Sequence, residues 1–121
     1  MRCLLVDDSR SFLDAASTLL ERQGLDVCGT ASTTAEGLRQ AAELRTDVVL
    51  VDISLGSESG LDLARRLAGD AAPRTSVILI STHAEADFAD LLEQTPSAGF
   101  VPKSKLSAAV IRRLVGADVQ N

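Results

Sequence analysis

Residues 47–52 read Asp-Val-Val-Leu-Val-Asp, and the side chains from Val48 to Val51 run without a polar break. A strand with one wet face alternates apolar and polar residues, so an unbroken run of this kind suits a strand covered on both faces. Residues 77–80, Val-Ile-Leu-Ile, repeat the pattern. Working outward, five short apolar runs stand out: CLLVD (3–7), LDVCGT (25–30), DVVLVD (47–52), SVILIS (76–81) and GFVPK (99–103). Between them the spacing turns helical. Phe12, Leu13, Ala16, Leu19 and Leu20 form one stripe, with Gly24 as its stop. Thr33 and Glu36 form a capping box before Leu38, Ala41, Ala42 and Leu44. Leu61, Ala64 and Leu67 mark a third helix, Phe88, Leu91 and Leu92 a fourth, and Leu106, Val110, Ile111 and Leu114 a fifth. Five β-α units with short connections predict an α/β fold, a doubly wound five-stranded parallel sheet with helices on both faces. In such sheets function gathers at the C-terminal ends of the strands.

The composition narrows the function classes. The 121 residues have the length of one domain, 1–121, and 45% are hydrophobic, with three Phe and no Tyr or Trp. Leu, Val, Ile and Ala must therefore build the core, and base-stacking aromatics are absent. A net charge of -5 repels phosphate backbones, so this segment is not expected to bind nucleic acid directly; an attached domain would supply any DNA binding. No apolar run approaches the ~20 residues of a membrane helix, and Asp7 and Asp8 interrupt the N-terminal apolar stretch, which predicts a cytoplasmic protein. Cys3 and Cys28 read as reduced thiols in strands, without metal-ligand spacing.

Reading the strand ends gives Asp7 and Asp8 after the first strand, Asp52 at the third, Ser81 at the fourth and Lys103 at the fifth. Each has an ordinary reading as a helix cap or a surface charge. Together at one edge they do not: two carboxylates ~5 Å apart repel by about 3 kcal/mol at an effective dielectric of ~20, and three make three such pairs. A cation is called for, and an oxygen-only, solvent-facing ligand set suits Mg2+ or Mn2+ better than zinc. Such a site is shaped for phosphoryl transfer, with a carboxylate as nucleophile, Lys103 neutralising one phosphoryl oxygen and Ser81 hydrogen-bonding another.

At these positions the whole chain resembles the receiver domain of two-component response regulators. That family has an acidic pair after the first strand (here Asp7 and Asp8), a phosphoacceptor ending the third (Asp52), Ser or Thr ending the fourth (Ser81) and Lys after the fifth (Lys103). Gly60 and an aromatic switch position, Phe100, complete the match. The resemblance implies a flavodoxin-like strand order 2-1-3-4-5 and phosphorylation of Asp52 by a histidine kinase or phosphotransfer protein. It implies Mg2+ held by Asp8, Asp52 and the backbone carbonyl of Ser54, with Asp7 acting through water. Slow autodephosphorylation rather than enzymatic turnover is expected, with output through the face of the fourth helix, fifth strand and fifth helix, where a partner or a second receiver would dock around Phe88, Phe100 and Leu106. Three positions depart from the common pattern: Gly56 replaces a frequent Pro, Pro102 precedes Lys103 where a Pro usually follows the Lys, and Thr82 follows Ser81 where a smaller residue is common. An aspartate-nucleophile phosphohydrolase is the enzyme alternative, but its D-x-D pattern after the first strand is replaced by adjacent acids. A docking module that works without phosphorylation typically lacks one of these residues, and a G-x-G-x-x-G nucleotide turn is absent after the first strand.

Overall fold

The computed structural model describes residues 1–71, 75–82 and 89–120. Around the main sheet strand and helix alternate: β1 (Arg2–Val6), α1 (Arg10–Arg22), β2 (Asp26–Ala31), α2 (Thr34–Leu44), β3 (Val48–Asp52), α3 (Gly60–Arg66), β4 (Ser76–Ser81), α4 (Ala89–Glu93), β5 (Gly99–Pro102) and α5 (Ala108–Gln120). The strands form one parallel sheet in the order β2-β1-β3-β4-β5. The expected α/β architecture is therefore present, and β1 and β3 lie side by side.

Every residue of β3 and β4 is buried, as their unbroken apolar runs require. Successive side chains of a strand point to opposite faces, and the core divides accordingly. Cys3, Leu5, Leu50, Ile78 and Ile80 pack with Leu13, Leu20 and Ile111 from α1 and α5. Leu4, Val6, Val49, Val51 and Leu79 pack on the other face with Ala41, Leu61 and Leu63 from α2 and α3. Each such Leu, Ile or Val contributes about 1.5–3 kcal/mol through burial, so the central strands anchor both layers at once.

The helix starts follow side-chain capping. Ser9 Oγ accepts the Phe12 amide to open α1, and Thr33 Oγ1 accepts the Glu36 amide to open α2. The expected capping box is only half formed, because Glu36 Oε1 accepts from Gln40 Nε2 instead of turning back to the cap. After α1, Gly24 takes φ +93°, the left-handed conformation expected of a stop. Leu106 does not lie in the fifth helix. A 3-10 turn occupies Lys103–Lys105, and α5 begins only after Ser107, whose Oγ accepts the Val110 amide; Leu106 is buried just ahead of that cap. Phe88 and His83 lie outside the described residues. No helix among the described residues is long and apolar enough to cross a membrane.

Candidate functional site

Asp52 ends β3 and is buried, with both of its carboxylate oxygens hydrogen-bonded. Its Oδ1 accepts the Ser54 amide at 3.1 Å, and Oδ2 accepts from Lys103 Nζ at 3.0 Å. This side chain caps no helix; Ser59 Oγ opens α3 instead, accepting the Asp62 amide. The chain turns back after Asp52 in a small hairpin pairing Ser54–Leu55 with Glu58–Ser59, and Gly56 takes φ +61° at its tip. A two-residue hairpin wants positive φ at that position, which Gly supplies without strain. The hairpin returns the backbone so tightly that a Cβ on Gly60 would lie 1.8 Å from the Asp52 carbonyl oxygen. Glu58, on its second strand, accepts the Thr34 amide at 2.9 Å and so ties this loop to the start of α2.

Asp7 and Asp8 follow β1, the neighbour of β3. Asp7 is fully buried, with Oδ1 accepting the Ser9 amide at 2.8 Å; Asp8 is exposed. Lys103 Nζ lies 2.6 Å from Asp7 Oδ2, a close ion pair, and among the described residues no other group engages that buried oxygen. Burial pushes the Asp52 carboxyl up from its ordinary value, against the pull of Lys103 and the Ser54 amide. Burial also works to lower the Lys103 value, but its bonds to Asp7 and Asp52 outweigh that and push it up. Lys103 is thus held protonated between two acids.

One oxygen from each of Asp7, Asp8 and Asp52 lies within 4.8 Å of the others. Opposite ligands of a Mg2+ ion at 2.1 Å are about 4.2 Å apart, so the three lie close enough to share one ion, directly or through a bound water. Three hard carboxylates and an exposed approach past Asp8 fit such a cation; Asp8 and Asp52 are the side chains that would hold it directly, with Asp7 acting through water.

Ser81 ends β4 and is buried, and the register sets it one step beyond Ile80, the partner of Asp52. Phe100 on β5 pairs in register with Leu79 and packs, half-buried, against the cluster that includes Leu79. The structure therefore brings Asp7, Asp8, Asp52 and Lys103 into one site, with Ser81 at the same sheet edge. Ser54 enters through its amide. Two residues escaped sequence reasoning: Glu58, whose partner is 24 positions away, and Phe12, whose ring centroid lies 4.3 Å from Lys103 Nζ. Only the stripe position of Phe12 was visible, and that reads as core. Cys3 and Cys28 form no disulfide, and burial pushes the Cys3 thiol up to about 12, which leaves it inert.

The model of the response regulator receiver domain family matches residues 3–114. The chain belongs to that family. Among curated relatives, the response regulator GacA of Pseudomonas viridiflava is 30% identical over 94% of this receiver domain and 53% of its own length. The Pseudomonas aeruginosa GacA is 31% identical over 85% of the receiver and 48% of its own length. The receiver domain thus spans about half the length of these relatives. Among solved structures, a response regulator receiver domain protein from Clostridium thermocellum superposes with a TM-score of 0.79 at 28% identity, covering 98% of this chain and 94% of that one. A Burkholderia pseudomallei response regulator, described with a phosphorylated aspartic acid, a calcium ion and citrate, gives 0.81 at 25% identity over 98% and 70%.

Proposed function

We propose that this receiver domain is a phosphorylation-controlled signalling switch in which Asp52 accepts a phosphoryl group from a histidine kinase or a phosphotransfer protein, with Mg2+ or Mn2+ as cofactor. The observation that carries the reading is the pinned carboxylate of Asp52, one oxygen on the Ser54 amide and the other on Lys103, with oxygens of Asp7 and Asp8 within 4.8 Å. The Burkholderia pseudomallei relative, with its phosphorylated aspartic acid and bound calcium ion, supports it by similarity.

An Asp52 oxygen forms a new O–P bond as the donor's P–N bond breaks; the electron pair returns to the imidazole nitrogen, which takes a proton from solvent, and Asp52 becomes an acyl phosphate. A bound Mg2+ supplies charge neutralisation of the phosphoryl oxygens. Asp8, Asp52 and the Ser54 carbonyl would hold it, Asp7 acting through water. Lys103 turns from the carboxylate to one phosphoryl oxygen, and the Ser81 hydroxyl donates to another. Hydrolysis of the acyl phosphate is slow, so the domain stores a state and does not turn over a substrate. The state leaves through the face of α4, β5 and α5, around Phe100 and Leu106, to a partner, a second receiver or an output domain, of which a DNA-binding domain is one class. The cytoplasm is where this chemistry would operate.

Acetyl phosphate with Mg2+ should add one phosphoryl mass to the wild-type protein. The same gain in Asp52→Ala would overturn the assignment.

A further inference from the structure

Among the described residues, three groups surround the charged end of Lys103: Asp7 Oδ2 at 2.6 Å, Asp52 Oδ2 at 3.0 Å and the Phe12 ring at 4.3 Å to its centroid. The first two are also side chains suited to a divalent cation. With such an ion among the three acids, their summed charge falls from about -3 to about -1, and the pull of Asp7 and Asp52 on the ammonium is weakened. The pull of an aromatic face on a cation arises from the ring quadrupole and does not depend on the charge of the carboxylates. Phe12 stands on the first turn of α1, fixed by the Ser9 cap at one end and by packing against the buried cluster of α1 and α5 at the other. Its place is therefore set independently of the metal.

We infer that Phe12 is a positioning residue, whose ring keeps the Lys103 ammonium beside Asp52 while a metal ion occupies the carboxylates. The inference rests on the phosphoacceptor reading of Asp52. Without the ring, a four-carbon stem that is already 12% exposed is free to swing the ammonium into solvent. A leucine would fill the volume of Phe12 but offer no quadrupole. The ring thus acts through Lys103 and touches neither donor nor acceptor.

Three readouts test this. In NMR of the wild type, the Lys103 Hε resonances, shifted upfield by the ring, should stay shifted when Mg2+ saturates the site; a move to the unshielded position on Mg2+ binding overturns the inference. In Phe12→Leu, Mg2+ affinity should match or exceed that of wild type, while phosphorylation by acetyl phosphate slows about fivefold, the factor a cation–π contact of about 1 kcal/mol implies. Phe12→Trp should restore the rate. Mono-, di- and trifluorinated phenylalanine at position 12 leave the shape nearly intact and should slow the reaction in steps; they serve equally if Phe12→Leu folds poorly. Equal rates across the fluorinated series overturn the positioning role and leave the Asp52 reading standing. A wild type that takes up no phosphoryl group overturns the Asp52 reading, and the positioning role with it.

Discussion

Gly60 and Asp52 meet backbone to backbone: the Gly60 amide donates to the Ile53 carbonyl at 2.8 Å, and a Cβ on Gly60 would sit 1.8 Å from the Asp52 carbonyl oxygen. Such an overlap with main-chain atoms cannot be relieved by a rotamer change. Gly60→Ala should therefore destabilise the fold by about 3 kcal/mol or more, read as a fall in the urea midpoint. Loss below about 0.5 kcal/mol would mean that the Asp52 loop and α3 can separate cheaply.

Lys103 is the one cation contacting the buried acids among the described residues. Removing it in Lys103→Met leaves Asp7 and Asp52 repelling each other, and the loss should be about 2 kcal/mol in metal-free buffer, below the full cost of a deeply buried charge because the site is open past Asp8. Mg2+ should then raise the melting temperature of Lys103→Met more than that of wild type. Asp8→Asn should melt slightly higher than wild type without metal and respond less to Mg2+. Thermal melts with and without Mg2+ decide both, and an equal Mg2+ response in all three proteins would show that the acids do not share an ion.

The same lysine sets an alkaline limit. Its value is raised on folding above 10.5, so the stability it contributes is fully present below pH 10.5 and is lost as pH rises through the folded value. Urea midpoints taken from pH 9 upward should fall more steeply above about pH 10.5 for wild type than for Lys103→Met. Parallel curves would mean that Lys103 gains nothing from Asp7 and Asp52.

Glu58 should matter to α2 although it stands outside that helix. Its Oε1 accepts the Thr34 amide at 2.9 Å, one of the first-turn donors that no helical carbonyl can satisfy. Glu58→Ala should cost about 0.5–1.5 kcal/mol and speed hydrogen exchange at Thr34 while leaving the Leu13 amide of α1 unchanged. Unaltered exchange at Thr34 would show that the loop and α2 are not joined through this bond.

The layout of the domain was legible because β3 and β4 are buried on both faces and advertise it in Val48 to Val51 and Val77 to Ile80. The acids and Lys103 were legible because a parallel sheet gathers its strand ends at one edge. What stayed hidden depends on contacts that cross elements. Glu58 looks like any exposed loop acid until the hairpin carries it to Thr34, and Phe12 looks like core until α1 is seen to pass Lys103. Leu106 has the right helical spacing, but a 3-10 turn and the Ser107 cap start α5 two residues later. Periodicity reports which face a residue occupies and is silent about where the first turn closes.

If Asp52 is the phosphoacceptor, transmission to the α4-β5-α5 face should depend on Ser81. A phosphoryl group on Asp52 offers the Ser81 hydroxyl a charge-assisted hydrogen bond of about 1.5–3 kcal/mol, and moving a population from 1:99 to 99:1 takes about 5.5 kcal/mol. An ion pair with Lys103, screened by solvent, adds about 1 kcal/mol. The two together shift the equilibrium substantially without completing it, so a fraction of the phosphorylated molecules should keep the resting arrangement. In that arrangement Phe100 is half-buried against the cluster containing Leu79, and it carries no hydroxyl that must stay wet as it moves inward. Drawing Ser81 toward the phosphoryl group vacates space beside β4 that the ring can fill. With beryllofluoride as the phosphoryl mimic, wild-type amides from Gly99 to Leu106 should shift. Ser81→Ala should bind the mimic, as seen in the 19F spectrum, yet move the same amides less than half as far. A full shift in Ser81→Ala would show that the signal leaves Asp52 by another route.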